Sequence, residues 1–310
     1  MSQPGMVTLL TDFGLQDVYV GVMKGVIAQI NPELQVIDLT HQIPPQNIAA
    51  GRFCLMNAAS YFPPGTVHLA VVDPGVGTAR RAIALQLPQG YFVGPDNGLF
   101  SGVLRLAETE PDAEIIAVEL TNPNYWQTPQ PSTTFHGRDI FAPVAAHLAC
   151  GIPLERLGHL INPASLVQFN LPDCKITNGK AEGCIQYIDQ FGNLITNIPA
   201  EVVKEKTWFV VINDLEDGKI EAKSKEHKEK DKKKKKGKKD QSNIDGQTHA
   251  VVSRIIPSGQ TYGDVQLGHL VALVGSHGWI EIAANHANAK TQLQLSWGSP
   301  VQVLLSQSNG

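Results

Sequence analysis

The chain lacks several patterns that mark common protein classes. No run of about 18 consecutive apolar residues occurs, so a membrane-spanning helix is not expected. The segment Met1–Gly14 carries no basic stretch ahead of an apolar one, and Asp12 cuts its apolar run short, which argues against a secretory signal. Cysteine is scarce: Cys54, Cys150, Cys174 and Cys184 are scattered and form no Cys-x-x-Cys pair, so reduced thiols and a cytoplasmic location are expected. Gly-x-Ser-x-Gly, the P-loop and Gly-x-Gly-x-x-Gly are all missing, which removes support for elbow hydrolases, NTPases and standard dinucleotide binders. His147 and Cys150 have ligand-like spacing, but they fall in a predicted core helix with no second ligand pair, so no metal site is expected.

What is present favours two domains. The chain has 310 residues, 42% of them hydrophobic, enough for a sizeable core. Its net charge of −4 hides an asymmetry: residues 219–239 hold 12 lysines against 4 acids, so the remainder is acidic. An acidic body slightly favours cationic small ligands over nucleic acid. The lysine-rich stretch, about 219–247, is of low complexity and lies between two predicted strands. It reads as a disordered, solvated hairpin insertion, and a nucleic-acid partner is not expected.

Residues 6–165 alternate strand and helix signals. Short apolar strands at 7–10, 35–41, 67–72, 82–87, 91–94 and 114–120 are interleaved with helical patterns. Asp17 is placed to cap a helix with Val18, Val22, Val26, Ile27 and Ile30 on its apolar face, and further helices are predicted over 47–61 and 139–150. This succession predicts an α/β domain with a largely parallel sheet over 1–165. After about residue 175 short strands follow one another without a convincing amphipathic helix, which predicts a smaller all-β, barrel-like domain over 175–310.

Residues 69–81, LAVVDPGVGTARR, stand out. An apolar run ends at Asp73, a Pro/Gly cluster follows, and Arg80 and Arg81 come next. A carboxylate and a guanidinium are thus predicted at the carboxyl edge of a strand, where open α/β sheets bind ligands. Asp12 ends the first strand at the same edge, and its carboxylate suits a ribose diol, although a cap or turn role fits equally well. His136 precedes a predicted helix start; alone it reads as structural, but with Asp73 and Arg80 it makes an acid–base set that needs no metal.

Six motifs then occur in a set order: TDFG (11–14), VVDPGVGTARR (71–81), GPDNGLF (94–100), FHGRDIFAP (135–143), YIDQFGNLITNI (187–198) and GSHGWIEIAANHANA (275–289). In these the chain resembles the adenosine-forming S-adenosyl-L-methionine hydrolases, also called hydroxide adenosyltransferases, which are related to fluorinating and chlorinating enzymes. The resemblance covers both predicted domains. It implies hydrolysis of S-adenosyl-L-methionine to adenosine and L-methionine without a cofactor, in a homotrimer whose active sites lie between subunits. It places catalytic roles on Asp73, Arg80 and His136 and ribose binding on Asp12, with Asp73 also against the nucleoside. Asn193, Ser276, Glu281 and the backbone near Ala284 fall on the adenosine-contacting segments of the second domain. His277 and His286 stand where relatives often carry smaller residues. Arg81 is left as a flanking charge.

The chemistry suits these residue types. Attack at C5′ expels neutral methionine from a sulfonium, so the leaving group needs no acid; the difficulty is water, with a pKa of about 15.7. A guanidinium stabilises a hydroxide-like oxygen, and a histidine is a candidate proton acceptor. A halogenase of the same substrate is the nearest rival reading, and a non-catalytic nucleoside sensor is another.

Overall fold

The computed structural model describes residues 5–214 and 252–306; the lysine-rich insertion expected near 219–247 lies outside the described residues. The first half builds a seven-stranded sheet from β1 (Met6–Thr11), β2 (Gln35–Thr40), β3 (Val67–Val71), β4 (Ala82–Leu87), β5 (Gly90–Pro95), β6 (Ile116–Glu119) and β7 (His159–Ile161). Its order is β2-β1-β3-β5-β4-β6-β7. The neighbours β2, β1, β3 and β5 run parallel, and β4, β6 and β7 extend the sheet antiparallel. Four helices cover it: α1 (Tyr19–Ile30), α2 (Ile48–Ala59), α3 (Ser101–Glu108) and α4 (Ala142–Ala149).

Strand alternation decides which helix meets which residue. Leu9, Leu69 and Val71 face α1 and α4, packing on Met23, Ile27 and Val144. Leu10, Ala70 and Val72 point the other way, toward Phe53 and Leu55 of α2 and Val103 of α3. Strands buried on both faces explain the near-continuous apolar runs of the sequence. Gly51 in α2 allows the close approach: a Cβ there would lie 2.8 Å from Leu99 and 3.0 Å from Val72.

Two local expectations change. α1 starts at Tyr19 with Val18 as its cap and no side-chain cap bond, so Asp17 does not fill that role. Its buried face is Val20, Met23, Val26 and Ile27, while Val18 is exposed, because α4 packs on the Met23 side. The helix expected over 139–150 begins instead as a π-helical turn, Gly137–Phe141, that runs into α4.

The second half is all antiparallel: β8 (Lys175–Thr177), β9 (Lys180–Ile188), β10 (Leu194–Pro199), β11 (Thr207–Asp214), β12 (Val252–Pro257), β13 (Leu270–Val274), β14 (Trp279–Ala284) and β15 (Pro300–Ser306). The order is β12-β11-β15-β9-β10-β14-β13, with β8 on β9. The two ends nearly meet, since Gly259, just past β12, donates its N–H to Ala272 of β13 at 2.8 Å. Ile185, Leu194, Val210, Ile280 and Val303 fill this barrel-like sheet. One short helix that the apolar pattern gave no sign of, α5 (Ala289–Leu293), is capped by Asn288. Among the described residues, no helix is long and apolar enough to cross a membrane.

Candidate active site

Thr11 at the end of β1 lies in register with Val71 at the end of β3, so the loops leaving the two strands start at one sheet edge. Asp12 and Asp73 open those loops. The Asp12 carboxylate accepts the Gln46 N–H at 2.7 Å. Burial pushes the Asp12 carboxyl above its ordinary pKa, the Gln46 hydrogen bond opposes this, and the charge of Asp73 adds to the rise. Gln46 pays for the contact with a left-handed backbone, φ 65°.

The loop after β3 is a succession of tight turns, in which Val76 N–H meets Asp73 O and Thr78 N–H meets Gly75 O. It folds Arg80 back onto Asp73. Arg80 Nε donates to Asp73 Oδ1 at 2.8 Å, and Nη2 donates to Asp73 Oδ2, a bidentate pair. Both side chains are buried, 10% and 5% exposed, so the pair is shielded from solvent screening. The guanidinium also rests on the Phe141 ring, 5.2 Å from its centroid.

His136 comes to the same point from the other side of the edge. Its Nδ1 is 2.9 Å from Arg80 Nη2. Only arginine can donate in that contact, so Nδ1 accepts and the neutral ring carries its hydrogen on Nε2. Burial first, and then the Arg80 charge, hold the histidine below its ordinary pKa, which keeps it neutral near pH 7. The loop bearing His136 is held by Asp139, whose buried carboxylate accepts Ser132 N–H at 2.7 Å and Arg138 Nε at 2.6 Å. Phe135 packs edge to face on both Phe13 and Tyr19, which tilt against each other, and the three rings join this loop to the Asp12 loop. The structure thus brings together Asp12, Asp73, Arg80 and His136, four positions singled out from the sequence.

It does not bring the second-half residues to that cluster. Asn193 and Ala284 line a separate open depression of ≈ 690 Å³ with Phe191, Tyr262 and His286. Asn193 is set by Asp189, which accepts its Nδ2 at 2.9 Å. Ser276 and Glu281 line a different cavity of ≈ 360 Å³, walled by Phe53 and Tyr187. Glu281 is buried there, accepting Tyr262 Oη–H at 2.7 Å and His277 Nε2–H at 3.0 Å. Among the described residues, no group of three or more His, Cys, Asp or Glu side chains could hold a metal ion; His147 instead packs edge-on against Tyr125.

Sequence reasoning missed several contributors. Arg81 is more than a flanking charge: it pairs with Asp96 through Nε at 2.8 Å and holds Ser165 O through Nη2 at 2.6 Å. Tyr262 sits in a polar loop with no periodicity to flag it. His41, beyond β2, holds the Asp12 loop through Thr11 Oγ1 at 2.8 Å and Gly14 N–H at 2.8 Å. The sequence places it at the end of a strand over 35–41, whereas β2 ends at Thr40, so nothing in the pattern separated His41 from the strand.

These features have counterparts in known proteins. A model of the SAM hydroxide adenosyltransferase N-terminal domain matches residues 7–158, and one of the SAM hydroxide adenosyltransferase C-terminal domain matches residues 183–235 and 232–302. A Thermus thermophilus protein named (R)-S-adenosyl-L-methionine hydrolase is 37% identical, over 96% of this chain and 99% of that protein. A Salinispora arenicola protein of the same name is 44% identical, over 63% of this chain and 72% of the relative. Relatives named fluorinase are 29%, 25% and 26% identical. The crystal structure of an uncharacterized conserved protein from Thermotoga maritima superposes with a TM-score of 0.77 at 33% identity, covering 96% of this chain and 100% of that one.

Proposed function

The chain belongs to the SAM hydroxide adenosyltransferase family, and on that premise we propose that it hydrolyses S-adenosyl-L-methionine to adenosine and L-methionine at the Asp73–Arg80–His136 cluster. The observation that carries this reading is the buried guanidinium of Arg80, gripped by Asp73 and reaching His136. A fixed cation in a desolvated site is what a water-derived nucleophile requires when it must acquire hydroxide character.

Counting hydrogen bonds narrows the roles. Nε and both Nη2 hydrogens of Arg80 are engaged by Asp73 and His136, and Nη1 touches Arg81 O at 3.4 Å. One Nη1 hydrogen and His136 Nε2–H are left as donors, and one of them can hold the water through one lone pair while the water's other lone pair faces C5′. His136 Nδ1 is occupied, so the acceptor with spare lone pairs is the Asp73 carboxylate, which takes the proton as water attacks. The new bond is O–C5′; the C5′–S bond breaks, and its electron pair neutralises the sulfonium. No cofactor is required, because the thioether leaves uncharged. Asp12 binds the ribose hydroxyls.

The depression bearing Asn193 and Ala284 receives the rest of the nucleoside. It contains none of the four clustered residues, which supports a site completed between subunits of a homotrimer. A cytoplasmic enzyme fits the reduced cysteines. The test is incubation with S-adenosyl-L-methionine in labelled water and mass analysis of the 5′-oxygen of adenosine. The L-descriptor fixes the α-carbon of the relatives' named substrate, so their (R) refers to sulfur, and both sulfur epimers belong in the assay. Label in the product supports hydrolysis; unlabelled adenosine, or a halogenated nucleoside when halide is present, refutes it.

A further inference from the structure

We propose that Glu281 and His277 are positioning residues for the nucleoside: Glu281 holds Tyr262 and His277 holds Glu281, neither touching the substrate, and through Tyr262 they set one wall of the adenosine pocket. This rests on the reading of the Asn193–Ala284 depression given above.

Tyr262 is the side chain common to that depression and to the ≈ 360 Å³ cavity behind it. It stands on a short turn, Tyr262–Asp264, in a loop outside any strand. The loop backbone is fixed by Asp264, which accepts Gln260 N–H at 2.7 Å and Thr261 N–H at 3.1 Å, but these bonds do not orient the ring. The ring is fixed by its hydroxyl, which donates to Glu281 Oε1 at 2.7 Å. Glu281 is on β14, 4% exposed, and its second oxygen accepts His277 Nε2–H at 3.0 Å. His277 has no freedom of tautomer, because its Nδ1 accepts Trp279 N–H at 3.2 Å. Hydrogen bonds thus run from a strand backbone to histidine, from histidine to glutamate, and from tyrosine to the same glutamate.

The relay is tightly built. A Cβ at Gly275 would fall 2.3 Å from His277 Cε1 and 2.6 Å from Glu281 Oε2, so the hairpin closes around these two side chains only with glycine there. The far end bears on the first half: the Phe53 ring of α2 meets His277 edge-on at 5.9 Å and stacks on Tyr187 at 4.5 Å. A carboxylate among Phe53, Ile195 and Leu273 is costly unless it is hydrogen-bonded, and an apolar residue would pack there without that cost. What the carboxylate adds is a hold on the phenol. Burial and the neighbouring Glu281 push the Tyr262 hydroxyl up to about 12, so it remains a donor across the working range. Glu281 lines the cavity behind Tyr262 and not the depression itself, which separates its action from direct contact with adenosine.

The test measures adenosine affinity by calorimetry and steady-state kinetics for Tyr262→Ala, Tyr262→Phe, Glu281→Gln and the Tyr262→Phe/Glu281→Gln double variant. Tyr262→Ala should weaken adenosine about tenfold or more through loss of the aromatic wall. Tyr262→Phe and Glu281→Gln should each raise Kd and KM about three- to tenfold with kcat within about twofold, and the double variant should be no worse than the poorer single one. Multiplicative weakening in the double variant, or a Glu281→Gln protein with lowered Tm and unchanged KM, overturns the relay while leaving the pocket in place. Unchanged adenosine affinity in Tyr262→Ala overturns the pocket assignment, and the relay with it.

Discussion

Gly77 is the point where the loop carrying Asp73 and Arg80 touches the loop carrying His136. Its φ is +76°, and a Cβ placed on it would lie 2.2 Å from the carbonyl oxygen of Thr133. Gly77→Ala therefore has two effects. An L-residue in the left-handed region costs about 1–2 kcal/mol. The contact must also open, and because the obstacle is backbone, the loops must part by something on the order of 1 Å, a displacement that can lower turnover about 100-fold. The 2.9 Å contact between Arg80 Nη2 and His136 Nδ1 spans that seam and would be lost. Gly65→Ala is the control: its φ is +83°, but nothing lies within 4 Å of the new methyl group, and it precedes β3 at the opposite end from the site. Steady-state kinetics and thermal melting on both variants separate the effects. Both should melt a few degrees lower, by about 4 °C for a chain of this size, and only Gly77→Ala should lose kcat. A Gly77→Ala enzyme with kcat within about twofold of the parent would refute the claim that loop contact sets the catalytic geometry.

Further outcomes follow from the same geometry. Arg80→Lys keeps the charge over Asp73 but cannot reach His136 while gripping both carboxylate oxygens, so kcat should drop at least about 100-fold with KM less affected; full activity would remove Arg80 from the reaction. Asp12→Ala should weaken adenosine binding by about 2 kcal/mol through loss of charge-assisted hydrogen bonds to the ribose, measured by calorimetry. His68 gives a pH-dependent term in stability. It is fully buried between Phe62 and Phe92, and burial lowers its pKa from 6.5 to about 4. The unfolded chain therefore binds the proton first, and the stability present above pH 6.5 is lost as pH falls toward 4. Chemical denaturation at pH 7 and pH 4.5 should show a loss of about 2.5 kcal/mol from this residue. His68→Phe should flatten that part of the profile, and an unaltered slope would contradict it.

The two carboxylates of the cluster, Asp12 and Asp73, were legible in the sequence because strand ends are legible, whereas His136, alone, reads as structural. VTLL and LAVV are apolar runs closed by a carboxylate, and parallel neighbours align their carboxyl ends. The second-half residues were legible as segments but not as orientations. A motif places Glu281 and Ala284 three positions apart on β14, yet side chains alternate along a strand, and Glu281 faces the cavity beside Phe53 while Ala284 borders the open depression. The π-helical turn at Gly137–Phe141 has no periodic signature; it shows only in how Asp139 ties Ser132 and Arg138 around His136. Val18 in place of Asp17 at the start of α1 was equally hidden, because the aromatic packing of Phe13, Tyr19 and Phe135 fixes that corner.

Arg80 and Arg81 are neighbours with opposite allegiances. Arg81 and Asp96 hold Ser165 and Val167, and Ser101 Oγ accepts Phe169 N–H at 2.7 Å, so the connecting segment belongs to the first half up to Phe169. Three residues later, Pro172 O accepts Asn197 Nδ2 at 2.6 Å and belongs to the barrel. The hydrogen bonds of the segment's backbone therefore change partner within Asn170–Leu171, with the Phe169 ring already on Trp297 and Asp173 still paired with Arg105, and that is where a graft exchanging barrels between relatives should be cut. A cut made earlier, at the first loop residues after β7, would separate Arg81, the residue next to Arg80, from the Ser165 carbonyl it holds.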